Sequence, residues 1–475
     1  MPDVMIQDRR TDPREDLGEP TERMSVGNAE ADYILGGGFP ADSINIIMGH
    51  PGSGKTIFAE QLIFHNAGDD RPILYLTTLS EPLAKVVRYL QGFTFFDETK
   101  LGTQVIYEDV GPQLAEDGAG ALIPLLREAI KTLSPKVIVI DSFKAVHDLA
   151  PEPAERRRMV YEMTALLTAY GTTAFLLGEY TEDDILRYPE FAVADGIVEL
   201  SRRRLGNRDE RYFRVYKLRG SRYLEGAHAF RISDSGLVIY PRLVSPRMPE
   251  GYEPASERIS TGVGGLDEML DGGLWRGTTT LLAGPSGAGK TTIGLQFALE
   301  GARRGEPSLY MNFQENPTQL MRTIRGLGVD LEQAQAQGLD LVYASPVELQ
   351  IDSIIVDMFR RIQQGGVRRL VIDALGDLAS AATDPQRLHD YLYALVQHFA
   401  VSTITSVLNF ETSGNSIAGD GMQNAMSYLS DNVLLLTVDG EERTRRKLRV
   451  LKTRGSAHDT KVREVQITAA GLTVL

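Results

Sequence analysis

At 475 residues, with 42% hydrophobic and 24% charged side chains, the chain is long enough for two or three domains with cores of their own and has an ordinary globular composition. Fibrous, generally disordered and small disulfide-stapled classes are excluded, and the absence of cysteine also excludes disulfides, thiolate zinc sites and cysteine nucleophiles. Lys plus Arg total 50 against 64 Asp plus Glu, a net charge of -14 that repels polyanions unless basic residues are concentrated locally, so DNA is not an expected partner.

Residues 1–22 are rich in Asp, Glu, Arg and Pro without an apolar run, which reads as a disordered leader and not a signal peptide. No stretch approaches the ~20 uninterrupted apolar residues of a membrane-spanning helix, so the expectation is a cytoplasmic protein without a membrane partner. Over 23–240, β-branched runs at 43–48, 73–77 and 137–140 alternate with amphipathic stretches at 57–67 and 83–90. That alternation predicts a mostly parallel sheet flanked by helices. The unit finishes in a hairpin, 197–200 turning at Gly206-Asn207 into 212–217. Residues 241–257, broken by Pro246, Pro249, Gly251 and Pro254, read as a linker. Over 258–475 the pattern recurs: a strand at 278–283, another at 370–372, and a hairpin in which 433–438 turns at Asp439-Gly440 into 447–452. The fold class is therefore α/β, in two tandem domains that each end in antiparallel strands.

The recurrence holds residue by residue. Gly49-His50-Pro51-Gly52-Ser53-Gly54-Lys55-Thr56 is echoed by Gly284-Pro285-Ser286-Gly287-Ala288-Gly289-Lys290-Thr291, followed by Thr292. The offset from Lys55 to Lys290 also aligns Leu74-Tyr75 with Leu309-Tyr310, Pro82 with Pro317, and Lys217-Leu218-Arg219-Gly220 with Lys452-Thr453-Arg454-Gly455. Asp141 and Asp373, each closing an apolar strand, pair at a slightly smaller offset. A G-x4-G-K-T loop between an apolar strand and an amphipathic helix is a specific phosphate-binding signal. Glycines let backbone N–H groups wrap the phosphates, and the helix N-terminus adds its positive dipole end. Lys55 and Lys290 are expected on the terminal phosphates, Thr56 and Thr291 on Mg²⁺, and Asp141 and Asp373 where a strand-end carboxylate holds the metal through its water shell. A glycine-rich turn with a solvated lysine does not account for two copies in register.

Both loops, both aspartates, both K-x-R-G motifs, and the Gly36-Gly37-Gly38 and Gly272-Gly273 runs resemble the KaiC-like ATPases, tandem RecA-like P-loop proteins, from about residue 24 to the end. The resemblance implies ATP with Mg²⁺ as ligand. It also implies a strand end with two adjacent glutamates, catalytic base and helper. This chain departs there, with Gln314-Glu315 in the second copy and Leu79-Ser80 in the first. Glu315 keeps one candidate catalytic carboxylate, and Glu81, beside Pro82, reads as a helix N-terminal acid. Slow turnover follows, weaker in the first copy. In the family a neighbouring subunit supplies the K-x-R cations, so Lys217, Arg219, Lys452 and Arg454 are expected to act in trans in a ring, usually a hexamer of two tiers. The segment 425–431 resembles the family's phosphorylation stretch, with Ser427 and Tyr428 in the acceptor places, whereas the first copy offers Phe191-Ala192. Serine/threonine autokinase activity in the second domain is the corresponding expectation. The family's clock members carry a further C-terminal tail that binds an activating partner, whereas this sequence stops at Leu475, which argues against a full oscillator role.

Three readings follow. The first is a slowly hydrolysing ring ATPase with autophosphorylation, a timer or signalling switch with signalling proteins as its partner class. The second is a RecA-like DNA-dependent ATPase using Arg202-Arg203-Arg204 and Arg443-Thr444-Arg445-Arg446-Lys447, runs that read more simply as solvated hairpin faces. Segment 413–424 carries Asp420 and no basic residue, which disfavours DNA. The third is a nucleotide-gated, non-catalytic scaffold. The seven histidines show no metal-ligand spacing, and Trp275 beside Gly272-Gly273 reads as packing.

Overall fold

Strand alternation decides which face each side chain joins. The computed structural model describes residues 22–70, 72–78, 83–150, 152–205, 208–345, 350–380, 385–414, 428–439 and 445–475, in two units, Met1–Arg242 and Leu243–Leu475. The first unit opens with a two-stranded ribbon, β1 (Arg23–Met24) against β2 (Phe39–Pro40). Its main strands are β3 (Ile44–Met48), β4 (Ile73–Thr77), β5 (Val105–Asp109), β6 (Val137–Asp141), β7 (Thr173–Gly178), β8 (Gly196–Leu205), β9 (Arg208–Leu218), β10 (Ala227–Ser233) and β11 (Gly236–Tyr240). They form a nine-stranded sheet in the order β11-β10-β9-β8-β3-β7-β6-β4-β5. From β8 to β5 all neighbours run parallel, and from β8 to β11 they run antiparallel.

Because successive side chains leave a strand on opposite faces, the apolar strands feed two cores. Ile44, Ile46, Met48, Leu74, Leu76, Ile138, Ile140 and Leu176 pack with Leu126 and Ile130 of helix Leu122–Leu133 and Met159 and Met163 of helix Pro153–Ala169. Ile47, Tyr75, Val139, Phe175 and Leu177 pack with Phe58, Leu62 and Ile63 of helix Lys55–Asn66. Burying one such aliphatic side chain is worth about 1.5–3 kcal/mol, so a strand slipped by one residue would exchange its two sets and forfeit both cores.

The second unit repeats the plan. A ribbon of β12 (Arg258–Ile259) and β13 (Leu274–Trp275) precedes β14 (Thr279–Gly284), β15 (Ser308–Asn312), β16 (Leu339–Tyr343), β17 (Arg369–Asp373), β18 (Thr405–Glu411), β19 (Asn432–Asp439), β20 (Arg445–Thr453), β21 (Arg463–Thr468) and β22 (Gly471–Val474). The sheet order is β16-β15-β17-β18-β14-β19-β20-β21-β22. Leu282, Tyr310, Val371 and Val407 pack on Ile293 and Phe297 of helix Lys290–Arg303. Both units are RecA-like α/β folds, mostly parallel sheets finished by antiparallel strands.

The loop helices begin at Lys55 and Lys290, two residues earlier in the first unit than the amphipathic pattern indicates, because left-handed Gly54 (φ 106°) and Gly289 (φ 108°) turn the chain straight into helix. The first hairpin is longer at both ends than its apolar core, since β8 and β9 extend through charged residues such as Arg202, which pairs with Asp209. Residues 206 and 207 of its expected turn lie outside the described residues, as does Gly440 of the second. Within the second unit, Leu243 is buried and His398 Nε2 lies 2.8 Å from the Val244 carbonyl, which docks the start of the segment read as a linker onto helix Pro385–Val401.

Candidate functional site

Each phosphate loop sits where the strand order reverses, at the carboxyl end of β3 or β14, the usual place for a ligand crevice in an open α/β sheet. Glycine is required at several loop positions: Gly52, Gly54, Gly287 and Gly289 all have φ between 71° and 108°. A Cβ on Gly49 would lie 2.0 Å from the Leu200 carbonyl oxygen, so the loop's first residue also has no room for a side chain. Ser53 and Ala288 are buried under the turn, and Thr292 follows Thr291 in the helix's first turn.

Lys55 Nζ donates to the carbonyls of Gly49 (2.8 Å) and His50 (3.1 Å), and Lys290 Nζ does the same to Gly284 (2.8 Å) and Pro285 (2.9 Å). Burial pushes both ammonium groups below the ordinary lysine range. Glu179 and Asp141 oppose that shift for Lys55, and Glu411 and Asp373 oppose it for Lys290. Each loop therefore presents one nearly buried cation to a polyanionic ligand.

The hydroxyl–carboxylate pairs meet as expected. Thr56 Oγ1 donates to Asp141 Oδ2 at 3.0 Å and Thr291 Oγ1 to Asp373 Oδ2 at 2.8 Å. This donor set, one hydroxyl beside one strand-end carboxylate, fits Mg²⁺, which keeps most of its waters and takes few protein ligands. Among the described residues no cluster of three or more His, Cys, Asp or Glu could hold another metal.

Sequence reasoning missed the residues that fix these aspartates. Tyr75 OH donates to Asp141 Oδ2 at 2.9 Å and Tyr310 OH to Asp373 Oδ2 at 2.5 Å, each from the adjacent strand and each fully buried. Burial and the neighbouring carboxylate drive both phenols well above their ordinary range, so they remain donors. The available signal was that the two tyrosines share the loops' offset. Two further contacts were also not foreseen. Arg446 Nε, on β20, donates to the Gly287 carbonyl at 2.9 Å. Glu60, one turn beyond Thr56, is fully buried and accepts from Tyr107 OH at 2.6 Å. Burial pushes its carboxyl up to about 8.

Glu315 lies at the site. Asn312, the last residue of β15, caps the turn by accepting from the Gln314 and Glu315 amides (3.1 and 3.0 Å) and donating to the Glu315 carbonyl. Glu315 Oε2 is buried without a hydrogen-bond partner, and burial first, then Asp373, raises its carboxyl above the ordinary range. Gln314 is exposed. Leu79, Ser80 and Glu81 lie outside the described residues.

The K-x-R cations do not gather at their own loops. Lys217 pairs in register with Ile197, and Leu218 with Gly196, next to Asn45 near the start of β3, so Lys217 and Arg219 lie at the sheet edge opposite Gly49. Arg219 is exposed and pairs with Asp195 at 3.2 Å. Likewise Lys452 Nζ donates to the Ser430 carbonyl (2.8 Å), and Arg454 Nη2 to the carbonyl of Tyr428 (3.0 Å), whose side chain is 76% exposed. Tyr428, one of the two expected acceptors, thus adjoins the second unit's K-x-R cations, whereas Ser427 lies outside the described residues. Phe191 is core. Trp275 stacks under the Arg258 guanidinium at 4.1 Å, a packing role.

The family described as "ATPase: KaiC" matches residues 25–244 and again 259–475. Curated relatives extend over nearly the whole chain. They include the circadian clock oscillator protein KaiC of Rippkaea orientalis, 28% identical over 456 residues, covering 93% of this chain and 87% of that protein. The circadian clock protein KaiC3 of Synechocystis is 28% identical over 95% of this chain and 91% of its own length. The KaiC oscillator protein of Synechococcus elongatus is 27% identical over 93% and 86%.

Proposed function

This chain belongs to the KaiC family of ATPases, and on that premise we propose that it is a slowly hydrolysing, Mg²⁺-dependent ATPase with two nucleotide sites, assembled as a ring and serving as a timer or signalling switch. The observation that carries the reading is the repeated Lys–Thr–Asp–Tyr arrangement: a buried loop lysine, and a threonine hydroxyl and a tyrosine hydroxyl converging on one aspartate oxygen, in both units. Bound Mg²⁺ would neutralise phosphate charge as the terminal phosphoryl group departs. Thr56 with Asp141, and Thr291 with Asp373, would hold it, Tyr75 and Tyr310 fixing each carboxylate. Lys55 and Lys290 would leave the loop carbonyls for the phosphates.

Glu315 is the candidate base of the second domain, its raised carboxyl suited to taking a proton near neutral pH. The opposite-edge placement of Lys217, Arg219, Lys452 and Arg454 supports a role in trans, at a neighbouring protomer's nucleotide in a homohexameric ring. The exposure of Tyr428 beside Arg454 supports autophosphorylation of the 427–428 stretch, delivered to the same neighbour. We take 23–240 and 258–475 as the two ATPase domains, after a leader at 1–22 and joined through 241–257. Among the described residues no helix is long and apolar enough to cross a membrane, and the proposed location is the cytoplasm. Pairing of Arg202 with Asp209, Arg214 with Glu182 and Lys447 with Asp439 supports hairpin faces balanced in charge over a polyanion track, so DNA is not the proposed substrate.

The test is incubation with γ-labelled ATP and Mg²⁺, following free phosphate and protein-bound label, with Ser427→Ala and Tyr428→Phe alongside. Slow phosphate release, with label lost in one variant, is expected. Release without retained label would remove the autokinase, and neither signal would remove the ATPase reading.

A further inference from the structure

Each unit carries one more acid at its phosphate loop. Glu179 follows β7, the strand between loop strand β3 and aspartate strand β6, with Gly178 in register with Met48 and Leu177 with Asp141. Glu411 ends β18, between β14 and β17, directly in register with the loop glycine Gly284. Thr412, next in the chain, donates its amide to the same Gly284 carbonyl that holds Lys290 Nζ. Alternation aims the second acid: Val407, Asn409 and Glu411 share one face of β18, and Val407 packs into the core that includes helix Lys290–Arg303. On β7, Phe175 and Leu177 face helix Lys55–Asn66 in the same way, four and two residues before Glu179. In both units the acid is exposed and lies close enough to act on the loop lysine's charge. Lys144 Nζ donates to the Glu179 backbone carbonyl, and among the described residues neither the Glu179 nor the Glu411 carboxylate forms a hydrogen bond or an ion pair. A carboxylate kept in solvent between the loop and the metal aspartate, with no side-chain partner among the described residues, is placed for a ligand.

Resting on the ATP reading above, we infer that Glu179 is the carboxylate that orients and deprotonates the attacking water in the first unit, a role that Glu315 fills in the second. The first unit has Leu79-Ser80 where the second has Gln314-Glu315, so it needs a base from elsewhere. Glu179 enters from a different strand. In the step, the water oxygen bonds to the γ-phosphorus, its proton passes to the Glu179 carboxylate, and the bond from γ-phosphorus to the β,γ-bridging oxygen breaks. The electron pair stays on ADP, and the carboxylic acid returns its proton to solvent. General-base removal costs about 10²–10⁴-fold in rate, and the lower end suits a slow enzyme.

The experiment uses the full chain with Lys290→Met to silence the second loop, and compares Glu179 with Glu179→Gln and Glu179→Asp. Titration calorimetry measures MgATP binding, and single-turnover assays measure phosphate release. The inference expects binding within threefold, release lowered about a hundredfold in Glu179→Gln, and partial recovery in Glu179→Asp. Unchanged release in Glu179→Gln with binding intact overturns this inference alone, as does loss of release in Glu81→Gln but not in Glu179→Gln. Absence of release from the Lys290→Met chain with native Glu179 also overturns it. No MgATP binding by the native chain would overturn the ATP reading itself, and this inference with it.

Discussion

Replacing Tyr310 by Phe removes one oxygen and leaves the buried ring in place, so the perturbation falls on the hydroxyl's contacts, chiefly the 2.5 Å hydrogen bond to Asp373 Oδ2 beside a contact with the Thr291 hydroxyl. A hydrogen bond to a charged group contributes about 1.5–3 kcal/mol. Thr291 Oγ1 still reaches the same oxygen at 2.8 Å, but from the loop helix and not from the sheet. Asp373 would then be held by a group that is itself a candidate metal ligand, and its freedom to turn would weaken the metal site. At about 1.4 kcal/mol per factor of ten, the loss is about 10–100-fold in Mg²⁺ affinity, the range usual for removing a group that orients a metal-binding residue. The assay is a Mg²⁺ titration of phosphate release at saturating ATP, with ATP binding in excess chelator as control. A midpoint shifted about 10–100-fold, with metal-free binding moved less than twofold, is expected. An unshifted midpoint would refute the claim that the tyrosine positions the aspartate.

Glu315→Gln should lower second-domain phosphate release about a hundredfold while leaving MgATP binding within threefold, measured in a Lys55→Met chain, and equal rates would discredit Glu315 as the base. The trans placement predicts complementation: Lys55→Ala/Lys290→Ala and Arg219→Ala/Arg454→Ala chains, each inactive alone, should recover part of the turnover when mixed, whereas mixtures that stay inactive would count against a shared site. Glu60 carries a carboxyl at about 8 in the folded chain against 4.5 ordinarily, so the folded state holds the extra proton between those values. Stability of the first unit should therefore fall as pH rises from 4.5 to 8, by up to about 1.4 kcal/mol per pH unit, and Glu60→Gln should flatten that slope in urea melts. A native slope that the variant leaves unchanged would contradict the buried, protonated acid.

What could be read from the chain was whatever is local in it. The loops are runs of eight residues whose glycines have one conformational reason to be there, and Asp141 and Asp373 close apolar strands, so motif and period locate them without knowledge of the sheet. The missed residues are neighbours across parallel strands. Tyr75 meets Asp141 because β4 pairs with β6, and Glu179 reaches the Lys55 loop because β7 lies between β3 and β6, an interleaving that no hydrophobic pattern encodes. The same geometry puts Lys217 at the far edge from Gly49, since β9 runs back along β8. Charged hairpin ends were underestimated for a related reason: Arg202 to Arg204 have no apolar period, and cross-strand pairing with acids such as Asp209 keeps them in the sheet. Glu60 carried no signal in the sequence, because its burial is tolerated through a donor on strand β5, Tyr107.

The most direct measurement is the number of MgATP molecules bound per chain by titration calorimetry. Two equivalents are predicted for the native protein, one for Lys55→Ala, one for Lys290→Ala and none for the double variant. A native chain that binds no MgATP, or that keeps both equivalents without the two lysines, would contradict the account.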